Sequence, residues 1–294
     1  MIEVLRPGPL TTVQDLGRPG YAHLGVGRSG AADRASLRLA NRLVGNPPGA
    51  AGLEITLTGC ALRLRTPAVA AVTGAPARVT VAGEVVGFAA ALPVPAGAKV
   101  HIGRTTAGLR TYLAVSGGVD VPPVLGSRST DTLSGLGPAP LRDGDLLPIG
   151  PVSSIVDTVA APPVDPDPST VELRLAAGPR ADWFAAPGLA DARYTVSPQS
   201  NRVGLRLTGP SLTRVAARRD TELPSEGIVL GAVQVPADGQ PLVFLADHPT
   251  TGGYPVIAVV HPDDLPRLAQ ARPGTSVVFQ RGWDHGREWH GPQR

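Results

Sequence analysis

The sequence is short of several residue types, and each shortage closes off a class of function. Among 294 residues there is one cysteine, one methionine and, at Lys99, one lysine. A single cysteine permits no intrachain disulfide. Cys60 stands in TGCAL with no cysteine or histidine beside it, so its expected role is that of a small buried apolar group. The lone lysine lies in GAKVHIG, a strand-like context, which leaves no Gly-Lys start of a helix to cradle nucleotide phosphates. A biotin carrier would set its lysine between methionines, and Met1 is the only methionine, so this chain is not itself expected to carry covalent biotin. No stretch approaches the ~18 apolar residues of a membrane span, and MIEVLRPGPLTTVQD has no apolar leader core. We therefore expect a soluble, cytoplasmic protein. The net charge of +3 comes from scattered arginines, without a basic block or an aromatic-interleaved basic stripe, so neither nucleic acid nor membrane is an expected partner.

Glycine (36) and proline (32) are abundant while aromatics make up 4%, the signature of short strands joined by tight turns. The length suits two domains of ~100–200 residues each. Alternating patterns predict strands at LEITL (53–57), ALRLR (61–65), ARVTV, GEVVGF, KVHIG (99–103) and LRTYLAV (109–115), then at VELRLAA, RYTVS, GLRLTG, GIVLGAVQV, PLVFLA, PVIAVV and TSVVF. One helix is predicted over Asp33 to Leu43, capped by Asp33 and stopped near Gly45-Asn46-Pro47, and a second over 263–271 with Pro266 in its first turn. Residues 151–169, rich in Pro and Asp, read as a linker between a β-rich domain over 1–150 and another over 170–294. The polar tail RGWDHGREWHGPQR reads as frayed or docked on a partner. The expected fold class is mainly β with a few short helices.

Familiar site chemistries fit poorly. Gly25-Val26-Gly27-Arg28-Ser29-Gly30 matches GxGxxG, but GYAHL is a poor strand and no βαβ unit follows, so it is not read as a dinucleotide fingerprint. The helix start from Ser29 to Asp33 could still hold a carboxylate or phosphate through backbone N–H groups, although a plain turn is the simpler reading. The histidines show no i,i+4 pairing, HPDD (261–264) reads as a capped helix start, and no metal is expected. No G-x-S-x-G elbow supports a serine hydrolase.

What remains is a set of strand-end loops dense in polar groups, where binding residues concentrate. Gln14, Asp15 and Arg18 share one loop, with Ser29 in the next. Ser127, Arg128, Ser129 and Thr130 share another, as do Ser200, Asn201 and Arg202. PSEG (224–227) supplies Glu226, and VQVPADGQP supplies Gln234 and Gln240. ADHPTTGGYP packs Asp247, His248, Thr250, Thr251 and Tyr254 around Gly252 and Gly253, although the whole chain has only 4 Tyr and 6 His. Each loop alone is commonly turn chemistry; together they suggest recognition of a polar ligand.

In order along the chain, LRPGPLTTVQDLGRPGYAHLGVGRSGAAD, ANRLVGN, LEITLTG, TYLAVSGG, VLGSRSTDT, SNRVGLRLTG, PSEGIVLGAVQVPADGQP, ADHPTTGGYP and LAQARPG resemble the Kip-type carboxyltransferase-subdomain family. That family includes the C component of 5-oxoprolinase, allophanate hydrolase subunit 2 and the matching half of the urea carboxylase carboxyltransferase domain. The resemblance implies two cyclophilin-like β-barrel domains. It implies a heteromer with a Kip-type B component, with the A component of 5-oxoprolinase as a further candidate partner. In such an assembly 5-oxoproline is activated with ATP before ring opening to glutamate. Matched motif to motif, Arg128 and Arg202 would contact anions, and Asp15 and Glu226 would serve as acid/base or organising groups. Gln14, Arg18, Ser29, Thr130, Asn201, Gln234, Gln240, Asp247, Thr250, Thr251, Gly252, Gly253 and Tyr254 would bind the substrate.

The sequence departs from the family pattern at His248-Pro249, where relatives show Arg-Gln, and at Gly137-Pro138, where they show Gly-Arg. Two alternatives stand beside the hydrolase reading. One is carboxyl transfer to urea-like amides from carboxybiotin on a partner, as in an allophanate hydrolase-type or urea carboxylase-type system. The other is a non-catalytic regulatory partner of a Kip-type inhibitor.

Overall fold

The computed structural model describes residues 1–152, 169–186 and 188–280. Most of the expected linker and the whole polar tail lie outside the described residues. None of the described helices is long and apolar enough to cross a membrane.

The first half is built from two antiparallel sheets. In spatial order, one runs Leu146–Leu147, Ile2–Arg6, Cys60–Leu64, Lys99–Thr105, Ala77–Val81 and Glu84–Val86; the other runs Thr11–Gln14, Gly52–Thr56, Arg110–Val115, Ala68–Gly74 and Ala91–Val94. Alternation explains the first sheet: Cys60, Leu62 and Leu64 point into the core with Val4, Ile55 and Leu113, while Ala61 and Arg63 point away. Burial pushes the Cys60 thiol up to about 12, so it is inert as a nucleophile and behaves as the expected apolar filler. The second sheet is covered on both faces. All six residues of Arg110–Val115 are buried, because helix Arg34–Leu43 lies over the face opposite the core. Leu37 meets Tyr112, and Ala40 and Leu43 meet Ala71 and Ala114. Asp33 caps this helix as expected, accepting the Ser36 amide at 3.0 Å.

Such double coverage also explains a strand that alternation did not reveal. Ala68–Gly74 reads AVAAVTG, a run without polar punctuation, since one face meets the sheet core and the other the helix. Ile2–Arg6, Thr11–Gln14 and Ala91–Val94 were likewise unpredicted. GIVLGAVQV, predicted as one strand, yields a two-residue ribbon, Glu226–Gly227, and a separate strand, Ala232–Gln234, broken at Gly231 with φ +83°.

In the second half the strands close into a barrel in the order Thr170–Ala177, Val256–Val260, Ala232–Gln234, Leu242–Phe244, Gly204–Thr208, Arg193–Val196 and Ser276–Gln280. Closure comes from pairing the last strand parallel to the first, Val171 opposite Val277 and Leu173 opposite Phe279. Its interior is apolar, with Tyr194 edge-on to Phe279 at 5.9 Å. Helix Leu265–Gln270 follows a 3-10 turn at Pro262–Asp264, and Pro266 falls in its first turn, where a missing N–H costs little. The chain is thus mainly β with two β-rich halves, and closure into a barrel belongs to the second.

The end of this short helix docks the barrel on the sheets. Gln270 Oε1 accepts the amides of Leu109 and Arg110 at 3.0 and 2.9 Å, while Nε2 donates to Asp33 Oδ2 and to the Arg110 carbonyl at 2.9 and 3.0 Å. Arg110 returns a hydrogen bond to the Ala269 carbonyl, and Arg272 donates to Thr105 and Gly108. Gln270 uses both lone pairs and both protons across the seam between the halves. Gln270→Leu strips partners from two backbone amides and the Asp33 cap, and should lower stability by about 2–4 kcal/mol in denaturant unfolding. Gln199→Ser, at an exposed turn, should cost under about 0.5 kcal/mol.

Candidate functional site

Where the halves meet, the polar loops converge and their inner side chains hydrogen-bond into a network, in which Gln14 Oε1, Arg18 Nη1 and Thr130 Oγ1 are buried without a hydrogen-bond partner among the described residues. Arg202, in the turn before Gly204–Thr208, is 2% exposed. Its Nε and Nη2 grip Asp247 bidentately at 2.8 and 2.9 Å, Nη1 meets Glu54, and Nη2 also donates to the Gly30 carbonyl at 2.7 Å. Glu54 belongs to the sheet half, sitting directly opposite Tyr112 in the strand register. It accepts from Tyr112 Oη at 2.8 Å and from the Ala32 amide at 2.9 Å, with Arg110 Nε 3.4 Å away. Asp247 begins the ADHPTTGGYP loop's polar run and takes further hydrogen bonds from Ser29 Oγ (2.7 Å) and from the Thr132 amide and hydroxyl (3.0 and 2.6 Å).

Burial by itself would raise the pKa of Glu54 and Asp247. Arg202, joined at Glu54 by Arg110, outweighs it and holds both carboxyls below their usual range. Arg202 is correspondingly raised well above the normal arginine value despite its burial, through these two carboxylates. Burial and its carboxylate neighbours also raise the Tyr112 hydroxyl well above the ordinary tyrosine range, so it stays a neutral donor to Glu54.

Arg202, expected to contact anions, has Nε, Nη1 and Nη2 each on a protein acceptor. Asp15, expected as an acid/base group, is likewise saturated. It accepts from the Gly17 amide, Ser127 Oγ, Ser129 Oγ and the Arg128 amide, and so ties the first loop to GSRST. Arg128 turns outward to Asp120 at 2.6 Å and to the Val121 carbonyl, not into the seam. Arg18 is buried on the carbonyls of Val124 and Ser129, and Gln14 donates to Thr12 Oγ1 and the Thr130 carbonyl. Asn201 makes a turn with the Val203 and Gly204 amides, and Gln240 commits its amide to Gly209 and Ser211. Helix-start amides are also taken: Ala31 by the Asp15 carbonyl, Ala32 by Glu54, Asp33 by Tyr112.

The open rim is different. Thr251–Gly252 pairs with Glu226–Gly227 in a small ribbon, and Glu226 is ion-paired with Arg180. Gln234, buried beneath, donates to the Tyr254 carbonyl at 2.8 Å, and a Cβ on Gly252 would stand 2.8 Å from that same Nε2, so a side chain here would push Gln234 off this hydrogen bond. Tyr254 is 48% exposed. Thr250 and Thr251 stand beside it toward the surface, with Gly253. On the facing side Gly27 packs so close that an added Cβ would lie 3.0 Å from the His248 carbonyl and 3.8 Å from Asp131 Oδ2. His248 Nδ1 lies 2.8 Å from the Pro249 carbonyl, which places the proton on Nδ1 and leaves Nε2 a bare acceptor. Burial chiefly, and then the charge of Arg34, hold His248 below its ordinary pKa against the opposing pull of Pro249, Asp247 and Asp131.

The exposed part of the rim is therefore Thr251, Gly253 and Tyr254, with His248 and Thr250 half-buried beside them and Gly27 and Asp131 buried against His248. Sequence reasoning missed Glu54, Arg110 and Tyr112, whose signal was a pair of opposite charges interrupting otherwise apolar strands. It also missed Arg34, Asp131 and Thr132, which have no signal outside the fold.

The network sets a pH dependence whose sign depends on Arg202. Carboxyls with depressed folded pKa values contribute stability above their unfolded values near ~4, and this is lost as pH falls through that range. Arg202→Met leaves two buried carboxyls without their shared cation and should cost about 3–5 kcal/mol at pH 7. Burial then raises both pKa values, so the variant should gain stability between pH 7 and 5, where the parent is flat. Urea unfolding across pH would reveal an absence of that reversal.

Known proteins share both the sequence pattern and the architecture. Residues 24–281 match the family described as carboxyltransferase domain, subdomain A and B. The chain is 41% identical to the C component of 5-oxoprolinase from Escherichia coli over 285 residues, covering 95% of this chain and 90% of that one. It is 33% identical to urea amidolyase of Saccharomyces cerevisiae, covering 95% of this chain but 16% of the much longer relative. Among solved structures, TTHA0988 superimposes with a TM-score of 0.86 at 39% identity over 95% of this chain, which spans 55% of that one. Family resemblance and architecture agree, and the chain belongs to the carboxyltransferase-domain family, subdomains A and B.

Proposed function

We propose that this chain is the C component of an ATP-dependent 5-oxoprolinase. It would act with a B component to activate 5-oxoproline, which an A component then opens to glutamate. The observation that carries this reading is length together with identity: the chain and the E. coli C component correspond nearly end to end at 41%, whereas the chain matches only a minor part of the long urea amidolyase.

Activation asks three things of a site: a lactam carbonyl held in place, a carboxylate neutralised, and the charge that develops as the lactam oxygen attacks the γ-phosphate stabilised. The Thr250–Thr251 hydroxyls and the bare backbone at Gly252–Gly253 are suited to hold the lactam, and Asp131 Oδ2 to accept its N–H. ATP supplies the phosphoryl group when bound. This chain has no Gly-Lys loop for it, so the nucleotide would be held jointly with the B component. The inner network's task is to keep the Thr250–Tyr254 rim and the Gly27 loop in register, since small misplacements of reacting groups cost rate steeply.

The test is ATP-dependent conversion of 5-oxoproline to glutamate by the three co-expressed components. Turnover should require this chain and fall at least tenfold in Thr251→Ala with assembly intact. A properly assembled complex without turnover would sink the proposal, and carboxybiotin-dependent transfer to urea-like amides would be measured next. That second reading draws support from the Kluyveromyces lactis urea amidolyase structure, whose TM-score against this chain is 0.88.

A further inference from the structure

The rim loop ADHPTTGGYP is fastened at both ends and along its middle. At its start Arg202 grips Asp247. At its finish the Arg180 amide donates to the Val256 carbonyl at 3.0 Å, just beyond Tyr254. Its middle is held by the ribbon, in which Glu226 stands opposite Gly252 and Gly227 opposite Thr251, and by the Ile228 amide on the Thr250 carbonyl at 2.9 Å. A ladder this short does not hold itself together in water, so its placement depends on what its edges touch. On its apolar side Ile228 packs with Phe244 and Val256. On its polar side the contact is the ion pair between Glu226 and Arg180.

That ion pair is a fork on a carboxylate. Arg180 Nε lies 3.3 Å from Glu226 Oε2 and Nη2 donates to Oε1, so both oxygens of Glu226 accept from one guanidinium. The arginine is itself restrained. Its guanidinium carbon lies 5.7 Å from the centre of the Trp183 ring, a side chain that is buried. The Trp183 amide donates to the Arg180 carbonyl at 3.1 Å, and the Trp183 carbonyl accepts the Val215 amide at 2.8 Å. Arg180, the indole and the stretch ahead of Glu226 are thereby tied into one unit. Arg214 and Arg218 crowd the same ring, at 5.7 and 5.2 Å. Among the described residues, Arg180 is the one of these three cations that is ion-paired with a carboxylate.

Arg180 therefore reaches the rim twice, through its own amide at the loop's exit and through Glu226 at the loop's middle. We infer that Arg180 is a positioning residue for the Thr250–Tyr254 rim, acting on it through Glu226 and the ribbon. Of the two roles expected of Glu226, acid/base or organising, this assigns the second. The consequence for turnover rests on the oxoprolinase reading; the consequence for the ribbon does not.

The test that needs no substrate is amide hydrogen exchange on the full chain, read at the Ile228 amide by NMR. Glu226→Gln keeps the shape of the side chain and removes its charge, and should speed exchange at Ile228 by about two- to tenfold. Arg180→Met should do the same. Arg180→Lys should fall between Arg180→Met and the parent, because lysine restores the charge without the fork. Combining Arg180→Met with Glu226→Gln should be no faster than Arg180→Met alone. The Leu207 amide, bonded to the Pro241 carbonyl at 3.0 Å in the barrel wall, should stay unchanged throughout and so reports an intact fold. If Arg180→Met speeds Leu207 as well, Glu226→Gln alone decides. Unchanged exchange at Ile228 in Glu226→Gln, or effects that add in the double variant, overturns the inference.

Kinetics of the assembled complex separate positioning from proton transfer. Glu226→Gln should lower kcat/KM for 5-oxoproline by about tenfold and leave the shape of its pH profile unmoved. Arg180→Lys should recover activity relative to Arg180→Met. Loss of one limb of the profile in Glu226→Gln would make Glu226 a proton-transfer group and overturn the positioning role. A parent complex without turnover removes the oxoprolinase reading and leaves the inference to stand or fall on Ile228. An active parent whose Glu226→Gln variant exchanges and turns over as the parent does removes the inference and leaves the reading.

Discussion

A single guanidinium sets the geometry of this molecule. Arg202 is buried where the barrel meets the sheets, and the acceptors that make its burial tolerable come from both: Asp247 from the barrel, Glu54 and the Gly30 carbonyl from the other half. A buried charge missing even one of these partners is strongly destabilising. The two halves are therefore held to one relative placement, because only there are all the acceptors within reach. Gln270 and Arg272 repeat the logic with neutral carbonyls and amides elsewhere along the same seam.

This constraint divides the polar loops by depth. Below the surface, Asp15, Ser127, Ser129, Asp247, Arg202 and Glu54 satisfy one another, and a group whose lone pairs and protons are all engaged has little left for a ligand. Above them the ADHPTTGGYP loop presents His248, Thr250, Thr251 and Tyr254, whose capacity is not exhausted internally. The inner set does not become irrelevant to function by being saturated. Ser29 and Asp247 fix the backbone that carries His248, so rigidity below supports recognition above.

The fold was legible where one physical rule dominates. Asp33 caps the first helix because a side-chain oxygen just ahead of it can meet the Ser36 amide whatever the rest of the chain does. Cys60–Leu64 and Arg193–Val196 alternate because one face is buried and the other is not. Ala68–Gly74 was missed for the opposite reason: covered on both faces, it has no alternation to read. The GIVLGAVQV run failed at Gly231, where a positive φ that only the folded chain reveals interrupts an apolar stretch.

The sequence by itself determined the class of architecture, the capped helix, the family and the loops from which the site is assembled, because these follow from local periodicity, turn chemistry and motif order. Only the tertiary structure decided what each polar side chain does. Arg202 and Arg34 are indistinguishable as letters, both arginines close to Gly- and Ser-containing turns. One meets two carboxylates and becomes the joint of the fold, while the other opens the first helix with one long hydrogen bond, to the Ser29 carbonyl. The difference lies in partners 45 to 172 residues away in the chain for Arg202, which no local pattern encodes.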